Sequence, residues 1–93
     1  PRFFQLSQNY PNPFNPSTTI QFSLPSASHV RLTVYNLLGR QVRELADAYF
    51  SAGSHEVVWD GTDESGKTAA TGIYLYRMTA GDFVEKRKML LIK

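Results

Sequence analysis

The sequence predicts an all-β fold, an antiparallel two-layer sandwich of about seven short strands. Apolar and polar residues alternate with period two through successive segments, and clusters of Gly, Pro, Asn, Asp and Ser separate those segments. No stretch carries apolar residues at helical spacing over even three turns. The 93 residues leave room for one domain. A chain of this size buries roughly 60–65% of its unfolded surface, enough for one core if two sheets pack face to face.

Phe3 to Leu6 opens the chain as a possible edge strand. Pro11, Pro13 and Pro16 follow, each fixing its own φ and pushing the residue before it toward extended geometry. Asn9 to Asn15 is therefore expected to be a stiff, extended segment without backbone hydrogen bonds, from which Tyr10 and Phe14 pack back on the sandwich edge. Residues 1–16 read as this proline-spaced lead-in and residues 17–93 as the sandwich. Ile20, Phe22 and Leu24 alternate with Thr19, Gln21 and Ser23, a half-buried strand that Pro25-Ser26 stops. Val30, Leu32 and Val34 repeat the pattern up to a turn at Leu38-Gly39-Arg40.

Gln41 to Leu45 makes a third short strand of this series, and Asp47 to Phe50 could wind into one helical turn. A glycine turn at Phe50 to Ser54 leads to a strand with Val57 and Trp59 on one face and Trp59 in the core. Asp60 to Gly72 reads as a long surface loop built on Asp60-Gly61 and Ser65-Gly66 turns. Ile73 to Thr79 and Phe83 to Ile92 form a closing hairpin around Ala80-Gly81-Asp82. The count and spacing of these strands point to an immunoglobulin-like topology, without the inter-sheet disulfide because the chain has no cysteine.

The net charge of +2 and pI near 9.2 arise largely from Lys86-Arg87-Lys88 and Lys93, read as exposed cations of a final strand and not as a nucleic-acid surface. No apolar stretch approaches the ~20 residues of a membrane span. Beginning at Pro1 without methionine, the chain reads as a piece of a longer polypeptide.

Candidates for chemistry are sparse. Ser28, His55 and Asp60 could form a nucleophilic triad on paper, but nothing places a nucleophile on a strained elbow. His29 and His55 read as exposed turn residues. Asp60 and Asp63 are weak candidates for a hard cation, yet Ser65 and Thr71 stand where a calcium loop of the EF-hand type needs glycine and glutamate. Self-satisfied Asx turns are the expectation, so no metal and no cofactor is predicted. Tyr35, Trp59, Tyr74, Tyr76 and Phe83 could stack on sugar rings, but aromatics at alternating strand positions favour packing. One of Tyr74 and Tyr76 fits a tyrosine corner.

Five blocks occur in order: Asn9-Tyr10-Pro11-Asn12-Pro13-Phe14-Asn15-Pro16-Ser17-Thr18-Thr19-Ile20, Val34 to Arg40, Trp59-Asp60-Gly61, Gly72 to Met78 and Lys88 to Lys93. Together they resemble the type A C-terminal sorting domain of proteins exported by the type IX secretion system, from about Leu6 to Lys93. The Asn-Pro-Phe and Gly-Ile-Tyr segments are also similar to those of the immunoglobulin-like domain of the flagellar hook-cap protein. The resemblance implies a non-catalytic address label that stays folded in the periplasm in transit, is read by the outer-membrane translocon and is removed by a sortase-like peptidase near or before Pro1 to Phe4. The cargo then reaches the cell surface or the medium. The resemblance makes the chain the C-terminal end of a longer secreted protein whose N-terminal part is this cargo, and it assigns recognition to Gly72, Ile73, Tyr74, Gly81, Lys88 and Lys93. The charged and apolar terminal strand adds Lys86 and Met89, and Asn9, Pro11, Asn12, Pro13, Phe14, Asn15 and Pro16 are the structural lead-in. The basic terminal strand either offers an exposed edge for strand addition or is the last strand of the sandwich, its lysines guarding that edge against aggregation. A carbohydrate-binding or structural accessory module of a secreted enzyme is the alternative.

Overall fold

The computed structural model describes all residues, Pro1–Lys93, and contains seven strands and no helix. They are β1 (Gln5–Leu6), β2 (Thr18–Leu24), β3 (Ser28–Tyr35), β4 (Gln41–Phe50), β5 (Gly53–Trp59), β6 (Gly72–Ala80) and β7 (Phe83–Leu91). One sheet has the order β1-β2-β5 and the other β4-β3-β6-β7, with every neighbour antiparallel. This is the immunoglobulin-like sandwich that the alternation predicted.

Period-two alternation sends one face of each strand inward. Ile20, Phe22 and Leu24 of β2 face Val30, Leu32 and Val34 of β3, Tyr76 and Met78 of β6 and Leu91 of β7 across the layer, all essentially without solvent contact. Burying a side chain of this size stabilises by about 1.5–3 kcal/mol. Trp59 is fully buried at the end of β5 between Phe14 and Tyr74, and its indole N–H donates to the Thr62 carbonyl at 2.9 Å. The closing hairpin turns at Gly81-Asp82, where Gly81 alone has positive φ, 58°. Glycine at the first central position is the type II′ choice, whose twist suits the flanking strands.

Three expectations need correction. β4 does not stop at Leu45, and Asp47 to Phe50 are strand: they pair with Ser28 to Arg31 of β3, whose unpaired edge supplies backbone partners that outweigh a weak local helical tendency. Register shifts beside Leu32 and Val34 break the alternation of β4, leaving Val42 to Ala46 uniformly half-buried. The chain then passes between the sheets through Ser51-Ala52 alone, with β5 starting at Gly53. Neither histidine is a turn residue. His29 lies on β3 against Asp47, and His55 is half-buried on β5, its ring packed on Phe22 and Phe50.

Candidate functional site

The lead-in and the closing hairpin meet along one side of the sandwich. β1 pairs with β2, after which residues 7–16 leave the three-stranded sheet and cross the gap to β7 of the other. The crossing is hydrogen-bonded, contrary to the expectation for a proline-spaced segment. Tyr10 and Thr19 exchange backbone bonds of 2.9 Å in both directions; Phe14 N–H donates to the Leu90 carbonyl at 3.0 Å and Ile92 N–H to the Phe14 carbonyl at 2.9 Å. Pro11, Pro13 and Pro16 have no N–H to offer, and the chain forms these bonds with Tyr10 before them and Phe14 between them. All three of these prolines follow cis peptide bonds.

A buried polar knot anchors the crossing. Tyr76 points inward from β6, so its hydroxyl must find partners in the core. It donates to the Ser7 carbonyl at 2.7 Å and accepts from the Asn9 N–H at 2.8 Å. The Asn9 side chain, itself buried, donates to Thr18 Oγ1 at 3.0 Å and the Pro11 carbonyl at 3.2 Å, and the Thr18 hydroxyl donates to the same carbonyl at 2.8 Å. Burial pushes the Tyr76 hydroxyl up to about 12. No buried side-chain polar atom in the protein lacks a partner. Phe14 is buried against Trp59, but Tyr10 is 80% exposed and does not pack back.

The terminal strand is thus an open edge over only part of its length. Over Lys88 to Ile92 the outer side of β7 is already taken: Gln8 donates to the Lys88 carbonyl at 2.7 Å, Leu90 N–H donates to Asn12 Oδ1 at 3.0 Å, and Phe14 pairs on both sides of Leu91. Arg87 Nε adds a bond of 2.8 Å to the Leu6 carbonyl. This half of the edge is closed by the protein's own chain.

The residues that the sequence singled out divide by depth. Tyr74 and Met89 are in the core; Gly72 opens β6 opposite Leu91; Gly81 sits in the turn at the far end of the hairpin. Ile73, Lys86 and Lys88 face outward, and Lys93 is exposed at the chain end. Tyr74 donates to the Ala70 carbonyl, four residues upstream, and is the tyrosine corner. Trp59, Tyr74 and Tyr76 are buried, which dissolves the sugar-stacking row. Ser28, His55 and Asp60 do not meet: their hydrogen bonds go to Ser26, Ser51 and Thr62. Sequence reasoning missed Gln8, Thr18 and Arg87; the inward parity of Tyr76, which demands a polar partner, was the available signal.

Asp60 and Asp63 turn their carboxylates into their own loop. Asp60 Oδ1 accepts from the Thr62 hydroxyl and N–H, and Asp63 Oδ1 from the Ser65 hydroxyl, the Ser65 N–H and the Lys67 N–H. The hydroxyl bonds, from Thr62 and from Ser65, are the first cause that holds each carboxyl below its ordinary range. These are Asx turns, and no three acidic, histidine or cysteine side chains converge on a common point.

A family model described as the FlgD Ig-like domain matches residues 12–82. Among solved structures, latent PorU from Porphyromonas gingivalis shares the fold with a TM-score of 0.75 at 24% identity, over 91% of this chain and 9% of that one. FlgD from Xanthomonas campestris gives 0.62 at 29% identity, over 81% of this chain and 55% of its own. PorZ, a surface component of the type IX secretion system of P. gingivalis, gives 0.64 at 18% identity, over 97% of this chain and 11% of its own. The chain therefore spans about half of that FlgD and a small part of PorU and PorZ. No curated protein sequence matches it.

Proposed function

The chain belongs to the FlgD Ig-like domain family, and from that premise we propose that it is a non-catalytic sorting domain carrying an N-terminal cargo through the type IX outer-membrane translocon. The observation that carries this reading is where its diagnostic blocks lie. The Asn9 to Ile20 block, the Gly72 to Met78 block and the Lys88 to Lys93 block are distant in sequence, and they form one side of the sandwich through Tyr76, Asn12 and Phe14. PorZ, named for the type IX system, shares this fold over almost the whole chain. Gly72, Ile73, Gly81, Lys86, Lys88 and Lys93 are the residues the translocon would read. Tyr74 and Met89, being buried, would shape that surface from beneath.

Cargo removal by a sortase-like peptidase falls before β1 in this reading, because Leu6, Asn9 and Phe14 belong to the folded body. Localisation follows as periplasm in transit, then cell surface or medium. Fusing residues 1–93 to a periplasmic fluorescent reporter tests it in paired strains with and without a working translocon. Reporter at the surface or in the medium of the competent strain alone supports the role, and retention in both strains overturns it. Deleting Met89 to Lys93 is a poor probe, since Met89 and Leu91 are core residues. Lys86→Glu and Lys88→Glu leave the core intact.

A second reading has its own support. The matching family model and the FlgD structure of X. campestris, described for hook capping in flagellar assembly, favour an assembly module. Co-assembly with hook subunits, absent from a reporter control, would establish it.

A further inference from the structure

We infer that the uncovered half of β7 is a docking edge for an acidic, extended segment of a partner protein, which pairs with Val84 and Lys86 and lays carboxylates over Arg77, Lys86 and Lys88. The inference starts from the lead-in. Where it covers β7, the bonds reach the carbonyl of Lys88, both backbone groups of Leu90 and the N–H of Ile92. Backbone groups alternate sides along a strand, so those of even-numbered residues face away from β6. Val84 and Lys86 share that parity, as does the Lys88 N–H, and no group of the protein bonds to them. From Phe83 to Lys88 the sheet therefore ends in unpaired donors and acceptors, room for a strand of about five residues, the commonest length.

Charge narrows the occupant. Arg77 on β6 lies directly opposite Lys86 on β7, and both side chains are exposed on the outer face, with Lys88 on the diagonal. Like charges in directly opposed positions destabilise a sheet. Elsewhere on this face Arg31 is compensated, reaching Glu44 at 2.9 Å. Arg77 has only the Tyr35 ring and hydroxyl, and neither lysine has an ion-pair partner. Glu85 turns to the other side of β7 and is taken by Arg87 at 3.1 Å. Val84, 61% exposed, adds an apolar contact beside the row. A polypeptide fits because it brings N–H and C=O groups at the repeat of the edge, with carboxylates on alternate residues. An anionic polymer satisfies the cations and leaves the edge unpaired.

The inference concerns the surface itself and does not require export, so purified protein tests it. Isotope-labelled protein is titrated with a synthetic peptide of alternating glutamate and threonine. Parallel titrations use its lysine counterpart, an equally acidic peptide with proline at alternate positions, and dextran sulfate. The expected result is slowed exchange of the Val84, Lys86 and Lys88 amides with the first peptide alone. Lys86→Gln/Lys88→Gln, exposed substitutions that keep the core, should weaken its binding by about tenfold or more at low salt. No binding, binding without protection of these amides, or equal binding of the proline peptide or dextran sulfate overturns the edge. Unchanged affinity of the double variant overturns the charge row.

Discussion

The two edges of the four-stranded sheet are each covered over one half, at the same end of the sandwich, by loops that are held in opposite ways. On the β4 side, Glu64 N–H donates to the Val42 carbonyl at 3.1 Å and its carboxylate accepts from Glu44 N–H at 2.8 Å. That loop, Asp60 to Gly72, is shaped by bonds between near neighbours: Asp60 with Thr62, Asp63 with Ser65 and Lys67. On the β7 side, the lead-in is shaped by partners far along the chain, Tyr76 lying 67 positions beyond Asn9 and Leu90 lying 78 beyond Asn12. A locally closed loop costs little entropy to order. A distant anchor orders its loop only as the whole sandwich forms. The lead-in is therefore as stable as the core it touches, while the acidic loop carries its own structure.

That contrast can be broken most severely at Phe14, whose ring is buried on Trp59 and whose backbone pairs with β7. Phe14→Ala should cost about 3–5 kcal/mol in urea unfolding and release the Lys88 to Ile92 edge to amide exchange. Gly61 is where the two loops touch. It has φ of 80°, and a Cβ there would stand 2.6 Å from the Pro16 carbonyl oxygen, a backbone atom. Gly61→Ala should destabilise by roughly 2–4 kcal/mol from left-handed strain plus overpacking. Its effect is expected to reach lead-in amides such as Phe14.

Tyr76→Phe strips the anchor and keeps the ring, leaving the Ser7 carbonyl and Asn9 N–H without a partner, for about 1–3 kcal/mol. It also sharpens the comparison by pH. The folded-state value lies near 12, above the ordinary 10, so the wild type holds this contribution below pH 10 and loses it as pH rises through 12. The phenylalanine variant should lack that alkaline component, read as the difference between the two stability curves. The smallest effect is expected in the acidic loop. Both aspartates titrate below their ordinary value, so their contribution is present above about pH 4 and fades as pH falls through the lowered values. An Asp60→Asn/Asp63→Asn variant should flatten the acid limb of the stability curve while leaving lead-in amides protected.

The same division explains what could be read from residues alone. The alternation of Ile20, Phe22 and Leu24, or of Val30, Leu32 and Val34, states which face is buried, because strand parity is a local property. The Asx turns of Asp60 and Asp63 were legible for the same reason, as was the glycine turn of the closing hairpin. β4 was not, since its second half is strand only by virtue of β3 beside it and its bulges follow from pairing register. Asn9, Pro11, Asn12 and Phe14 could be recognised as a block, yet their partners could not. The open edge at Val84 and Lys86 was invisible for a related reason, since it is defined by where the lead-in stops.

By itself the sequence determined the strands other than the second half of β4, their inward faces, the main turns and the membership of an immunoglobulin-like family, all encoded in periodicity, turn chemistry and ordered motifs over short distances. Tertiary structure alone decided that the lead-in closes the terminal strand, that Tyr76 is the knot between them, and which cations remain without partners. Those features are pairings between segments as many as 81 residues apart, and the backbone polar groups and charges that make them are common to nearly every residue along the chain. Only the folded geometry selects which of them meet.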